Sequence, residues 1–272
     1  MTSNAVRIGA EPGKLARRTI LTVVGLVFAI PIISMMEFTF RDGLGGGYTL
    51  EHWVALFDPE QNRKYRQLFQ AVQNSFLLAV VTVTIILFVL LPTMILVQLQ
   101  FPKLRRVLEF ICIIPITVPA IVLVVGLAPV YGIVVRVFGS SVWTLAFAYG
   151  ITVLPYAYRA IQASISSVDM ITLSEAARSL GASWLNVLWR VLLPNLRRGI
   201  LAASLISVAV VLGEYTIASL LNRQNLQTAL VQVSKSDPYA AVIFALMALA
   251  FVFILLLLIG RVGSTRPGRR TT

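Results

Sequence analysis

One ionisable side chain, Glu214, lies in a stretch of the sequence, residues 199–222, that otherwise carries no charge. A carboxylate inside so apolar a segment is costly, and such residues usually have a function. Gly213 precedes it, and the hydroxyl residues Tyr215 and Thr216 follow it, so a close backbone approach and a polar lining are both available. Two chemistries fit equally well. The carboxylate binds a cationic solute, or it forms a permanent ion pair or hydrogen bond with a neighbouring helix.

A second group of residues combines helix signals with small side chains, in residues 162–198. Thr172 and Glu175 have the spacing of a capping box, so they predict the start of a helix. Ala176 and Ala177 favour that helix and leave a small-residue surface, and Gly181 is placed for a left-handed C-cap. Ser183 then predicts the start of a second helix, residues 184–193, which Pro194 would end. Its apolar residues and two tryptophans suit the membrane interface.

The composition indicates how these residues must be positioned. Hydrophobic residues make up 58% of the 272 residues and charged residues only 12%, about half the roughly 25% typical of soluble domains. A spanning helix needs about 20 apolar residues in a row. Besides residues 199–222, the uncharged stretches are 19–36, 67–102, 110–135, 137–158 and 238–260. The sequence therefore predicts an all-α integral membrane protein with six transmembrane helices, and it excludes soluble, disordered and disulfide-stabilised classes.

The basic residues predict the orientation of these six spans. With the N-terminus in the cytoplasm, 16 of the 23 Lys and Arg residues fall on the inner side and 7 on the outer side. Positive charge concentrates on the cytoplasmic side of membrane proteins, so both termini are expected inside. This distribution also argues against nucleic acid as the partner of a chain with a net charge of +12.

The sequence lacks the residues that several kinds of functional site require. The chain has one cysteine, Cys112, and one histidine, His52, which falls in an outer loop, so we expect no metal site, no bound cofactor and no serine-type membrane protease. Gly13-Lys14 is the nearest match to a phosphate-binding loop, but Leu15 follows it. The chain is therefore not expected to be an enzyme or to hydrolyse ATP.

The loop residues carry a family resemblance. Glu175-Ala176-Ala177, three residues, Gly181, nine residues and then Val191-Leu192-Leu193-Pro194 resemble the EAA loop of ABC importer permeases. The only departure is Val191 for isoleucine. The prolines of span three, at 115 and 119, and Leu154-Pro155 in span four are similar to the MetI-like transmembrane domain of type I importers. The domain would cover residues 19–260, between cytoplasmic tails of residues 1–18 and 261–272.

The resemblance implies a set of partners. In this family the EAA loop forms coupling helices that dock on the ATPase subunits, which would assign that role to Glu175, Ala176, Ala177, Gly181, Leu193 and Pro194. ATP would be bound by those subunits. A second permease, identical or paralogous, and an extracytoplasmic solute-binding protein would complete a complex in the bacterial inner membrane. The alternative of another class is a secondary transporter that works alone.

The substrate prediction is narrower. The segment Gly213-Glu214-Tyr215 resembles permeases of the polyamine, sulfate, molybdate and iron group, and a carboxylate there suits a cation such as spermidine or putrescine. Aminoethylphosphonate, iron and thiamine are the alternatives. Glu214, Tyr215 and Thr216 are the candidate residues of the substrate path. Glu37 and Glu109 are expected to be structural, Arg159 to end span four at the inner interface, and residues 50–57 to meet either a binding protein or the outer membrane face.

The charge distribution gives a testable topology. Residues 174–198 should be cytoplasmic and residues 41–70 external. In a Cys112→Ser background, a single cysteine at Ser174 should not react with an impermeant maleimide added from outside. Strong labelling at that position would contradict the orientation.

Overall fold

The computed structural model describes residues 13–43, 45–58 and 62–264, and its elements are helical. Most of the two predicted tails, residues 1–18 and 261–272, lies outside this range. The first half of the chain forms α1 (Lys14–Phe38), α2 (Glu51–Ala55), α3 (Asn62–Ile85), α4 (Leu91–Leu99), α5 (Arg105–Thr117) and α6 (Ala120–Phe138). The second half forms α7 (Leu145–Ser166), α8 (Met170–Ser179), α9 (Trp184–Asn186), α10 (Leu193–Gly213), α11 (Thr216–Leu220), α12 (Leu226–Val233) and α13 (Pro238–Ser264).

The membrane-spanning character of the chain is confirmed, with changes in detail. Among the described residues, five helical stretches are long and apolar enough to cross a membrane: Leu15–Phe38, Tyr65–Leu99, Ala120–Phe138, Trp184–Gly213 and Pro238–Leu258. A sixth helix, α7, has 22 residues and is about 33 Å long at 1.5 Å per residue. Its second half carries Arg159 and Gln162, and its buried residues pack among α3, α5 and α10. The six-helix prediction is thus broadly consistent with the structure.

The predicted third span is not one helix. It is broken at Val118, whose backbone is extended (φ −98°, ψ 124°), and α6 starts after Pro119. The residue before a proline is driven out of the α region by the proline ring, which accounts for the break. A lack of charge does not show where a helix stops, and residues 110–135 therefore looked continuous.

The predicted fourth span, residues 137–158, is shifted along the chain. Gly139, with φ +84°, ends α6, and α7 starts only at Leu145 and continues to Ser166. Arg159 therefore lies within this helix, with an exposed side chain, and its position at the inner interface stays a prediction. The loop that follows α7 is correspondingly shorter than residues 162–198.

Two π-helical segments occur at equivalent sequence patterns. Ile86–Leu90 joins α3 to α4, and Val187–Leu192 joins α9 to α10. In both cases the last residue of the segment begins a Leu-Leu-Pro sequence. The prolines, Pro92 and Pro194, lie at the start of the next helix. Because proline lacks the N–H and its ring crowds the carbonyl one turn back, a local widening lets the helix continue. The prediction that Pro194 ends a separate short helix was wrong.

The closest helix contact joins α7 to α10. The buried residues Gly199, Ala203 and Ser207 recur every four residues along α10 and form a stripe of small side chains. A Cβ added at Gly199 would lie 2.5 Å from the Cβ of Ser164 and 3.1 Å from the carbonyl oxygen of Ala160. Small residues allow such backbone approach between membrane helices, where packing rather than the hydrophobic effect drives association.

A second, smaller core lies at the end of the bundle away from α8. It consists of residues from α3, α12 and α13 together with Leu56, and Trp53 of α2 packs against it. The indole N–H of Trp53 donates to the hydroxyl of Thr39 at 3.1 Å, and the ring of His52 stacks on Tyr239 at 3.8 Å. Glu37, expected to be structural, pairs with Arg41 at 2.8 Å.

The burial pattern refines the labelling experiment. Ser174 is only 5% exposed and its hydroxyl donates to the carbonyl of Ile171. A cysteine there would react slowly from either side. The exposed Ser179 is a better position for testing the predicted inner side, and Tyr48, which is 76% exposed, is a matched position on the predicted outer side.

The α7–α10 contact predicts that Gly199→Ala destabilises the protein. The new methyl group would overlap Ser164, and overpacking of this kind costs roughly 1–3 kcal/mol. The melting temperature of the detergent-solubilised protein should fall, and Ser164→Gly should restore part of the loss by removing the opposing Cβ.

Gly126→Ala is the matched control, because a Cβ at this helical glycine would meet no atom within 4 Å. Its melting temperature should be unchanged. An equal loss in both variants would contradict the packing argument.

Candidate functional site: the predicted coupling loop and the end of α10

The loop between α7 and α9, which includes α8, is the predicted coupling loop, and residues that cap its helices hold its shape. Asp169, not Thr172, is the N-cap of α8. The carboxylate of Asp169 accepts two hydrogen bonds from Thr172, one from the backbone N–H at 3.2 Å and one from the side-chain hydroxyl at 2.7 Å. The bond from the hydroxyl has the larger effect and the bond from the N–H the smaller one, and together they hold the pKa of Asp169 below its usual value. The predicted capping box of Thr172 and Glu175 was therefore wrong by one turn, since an aspartate three residues earlier takes the cap.

The end of α8 agrees with the sequence. Gly181 has φ +83°, its N–H donates to the carbonyl of Arg178, and the N–H of Ala182 donates to that of Ala177. This pair of bonds is a Schellman motif, which turns the chain sharply. Ser183 caps the next helix through the N–H of Asn186, as predicted.

The predicted coupling residues divide into an anchored set and a presented set. Ala177 and Leu193 are half-buried against the main core, and Met170 and Val187 are buried in it. Glu175, Ala176 and Pro194 are exposed, as is Gly181. Leu180, next to the turn, is 90% exposed.

The tip of the loop is held by these backbone bonds and by one side-chain contact. The guanidinium of Arg178 lies over the ring of Trp184, 4.8 Å from its centre, and joins α8 to the start of α9. Because α9, the π segment and α10 are continuous, the tip is fixed to one end of a helix of 30 residues. At 1.5 Å per residue that helix is about 45 Å long and ends at Gly213.

Glu214 lies at a break, not inside a continuous span. Its backbone is extended (φ −81°, ψ 118°), so α10 ends there and the predicted stretch 199–222 is divided. Oε1 of Glu214 accepts the N–H of Ile217 at 2.8 Å and so caps the short helix α11. No hydrogen bond to Oε2 is found within the described residues. Thr216 begins α11 and is half-buried, while Tyr215 is 41% exposed.

Asn225 connects the elements around this break. It is fully buried, and its Nδ2 donates to the hydroxyl of Tyr149 at 3.0 Å and to the carbonyl of Glu214. Its Oδ1 accepts the N–H of Thr228 at 2.9 Å, which starts α12 with a capping box. One amide group therefore links α7, the end of α10 and α12.

This network was not predicted from the sequence. The spacing of Asn225 and Thr228 before an apolar run is a helix-start signal and could have been recognised. Its contact with Tyr149, 76 residues away, has no sequence signal. From the sequence, Arg223 is only one of the seven basic residues on the predicted outer side. In the structure its Nε donates to the hydroxyl of Tyr131 at 3.4 Å, and that hydroxyl contacts Thr144 at 3.0 Å.

Residues 50–57 have one covered and one open side. Leu56 is buried and Trp53 is hydrogen bonded, whereas Leu50, Val54 and Phe57 are each more than 60% exposed. The four- and three-residue spacing of the exposed side chains places them on one apolar face. Both alternatives for this segment, a binding protein and the outer membrane face, remain predictions.

The sequence is similar to those of known transport proteins. The chain is 27% identical over 210 residues to the sulfate permease 2 of the chloroplast of Chlamydomonas reinhardtii, which covers 73% of this chain and 53% of that protein. The chain thus spans about half the length of this relative. Residues 94–270 match the family described as the binding-protein-dependent transport system inner membrane component. That match includes the coupling loop and the break at Glu214, and the chain belongs to this family of membrane permeases.

Proposed function

We propose that the chain is one permease subunit of an ABC importer and forms the translocation path for a small polar solute. ATP would be hydrolysed on separate ATPase subunits, and a second permease and a solute-binding protein would complete the complex. The observation that carries the proposal is the Gly181 turn, where an exposed tip leads directly into the helix that ends at Gly213, next to Glu214. Membership of the binding-protein-dependent family supports the same partners.

The mechanism follows from how the tip is attached. Glu175, Ala176 and Leu180 are free to enter a groove on an ATPase subunit, because the rest of the bundle does not cover them. Movement of that subunit would displace α8 and, through the contact of Arg178 with Trp184, the continuous helix α9–α10. The contact at Gly199 would pass the displacement to α7, and the break at Glu214 would change its setting at the other end. Alternating access in this proposal is a coupled movement of α7 and α10.

The solute remains the open part of the proposal. The sequence favours a polyamine on the strength of Glu214, but one oxygen of that carboxylate caps α11. An anionic solute is the second candidate, because the matched relative is named a sulfate permease and a groove with two basic residues lies beside the end of α10. Both remain to be tested by transport.

Gly181→Val tests the coupling role. At φ +83° a β-branched side chain is strained by roughly 1–2 kcal/mol, although a Cβ there would meet no atom within 4 Å. The turn should open, so that the ATPase no longer co-purifies and transport is lost, while the protein still inserts in the membrane. Gly181→Asn should retain association, because asparagine tolerates the left-handed region.

Gly132→Val serves as the control, since this helical glycine has an ordinary φ and open space around it. Intact ATPase association in Gly181→Val would contradict the proposed docking.

Glu214→Gln separates capping from charge. The amide oxygen can still accept the N–H of Ile217, so the melting temperature should be unchanged, whereas Glu214→Leu should lower stability by about 1–3 kcal/mol because a buried donor loses its partner. If the solute is a polyamine, uptake of spermidine should fall at least about tenfold in Glu214→Gln. Unchanged uptake of the transported solute in Glu214→Gln would remove the carboxylate from the substrate path.

A further inference from the structure

A polar groove opens at the end of the bundle opposite the coupling loop. It has a volume of about 430 Å³ and lies between the turn that follows α11 and the exposed side of α12. Its lining includes Arg223, Lys235, Tyr215, Ser219, Gln67 and Gln232. Tyr215 directly follows Glu214, so the groove adjoins the break at the outer end of α10.

The charge of this groove has one sign. Arg223 and Lys235 are its two ionisable basic groups, and none of its described lining residues carries a carboxylate. Among the residues that the structure describes, neither basic group takes part in an ion pair. Glu214 is close in sequence, but it does not line the groove and one of its oxygens is bonded to the backbone of α11. A positive charge in a concave, polar surface attracts anions.

Arg223 is positioned by contacts with neutral groups, which do not neutralise its charge. Its own N–H donates to the carbonyl of Ala218 at 2.8 Å, and Asn222 before it adopts a left-handed conformation with φ +51°. The Nε group of the side chain donates to Tyr131, which leaves the two terminal nitrogens without a described partner. A half-buried guanidinium held at one nitrogen keeps the planar edge that recognises phosphate- and sulfate-like oxygens.

We propose that this groove binds a small oxyanion, a solute with a sulfate, phosphonate or phosphate group, on the outer side of the permease. Arg223 and Lys235 supply the charge, and the hydroxyls of Tyr215 and Ser219 with the amides of Gln67 and Gln232 supply neutral hydrogen bonds. The volume lies within the roughly 300–1,000 Å³ typical of small-molecule sites, so it admits an organic group beside the anion. This inference rests on the proposed permease function and specifies the class of its solute.

The binding site is tested on the whole transporter, with its ATPase and partner permease in lipid nanodiscs and without the binding protein. The probes are radiolabelled inorganic sulfate and methylphosphonate, with spermidine as the cationic comparison, at a fixed ionic strength. We expect saturable binding of at least one oxyanion, and spermidine should not displace it. Lys235→Gln and Arg223→Gln should each weaken it by about tenfold, the effect of losing roughly 1.4 kcal/mol.

Two features of the design keep the test decisive. Arg223 also contacts Tyr131, so Lys235→Gln, an exposed residue without a described partner, is the variant that tests charge without a risk to folding. Arg136→Gln removes an exposed positive charge on the predicted outer side but outside the groove, and it should leave anion binding unchanged.

The possible failures can be told apart. If the unaltered chain does not co-purify with an ATPase, the proposed function fails. If the complex assembles but binds neither oxyanion, binds spermidine instead, or loses anion binding equally in Arg136→Gln, the groove proposal fails alone. It also fails if Lys235→Gln weakens only the docking of the binding protein, because the groove would then recognise acidic residues of that partner.

Discussion

The contact of α7 with α10 through Gly199 is the constraint on which the rest of the structure depends. These two helices enter and leave the coupling loop, so their separation fixes the width of the loop and the position of its tip. The small residues along α10 allow the backbones to approach. A Cβ at position 199 would lie 2.5 Å from that of Ser164, so no larger residue is compatible with this separation. In a membrane, where apolar side chains gain little from leaving lipid, such fit is the main source of helix association.

The same two helices meet again at the other end through a polar contact. Tyr149 of α7 reaches Asn225, which also binds the carbonyl of Glu214 at the end of α10. Gln227 donates to the carbonyl of Leu212 at 2.9 Å, so side chains at the start of α12 satisfy carbonyls that the end of α10 leaves open. The helix pair is therefore held by close packing near the loop and by buried hydrogen bonds near the break.

The sequence predicted what local signals determine. Gly181 and Ser183 are caps whose geometry depends on a few neighbouring residues, and both were confirmed. The local capping box of Thr172 failed because Asp169 takes the same cap. Three other failed predictions concern the course of the backbone: the break at Val118, the continuation through Pro194 and the interruption at Glu214. Each depends on how a proline or a carboxylate is accommodated by its surroundings. The groove of Arg223 and Lys235 could not be predicted, because it forms only when the turn after α11 folds back beside α12.

The π segment between α9 and α10 has a mechanical consequence. The 30-residue helix would act as a lever if a partner moved the loop tip, and we expect it to bend most easily where its regular hydrogen-bond ladder is interrupted, at Val187–Leu192. Bending at that point would absorb sideways thrust near the membrane surface while axial thrust still reached the far end. Under the proposed coupling, a push along the axis would reach the far end about 45 Å away, whereas a sideways push would be taken up by bending at this segment.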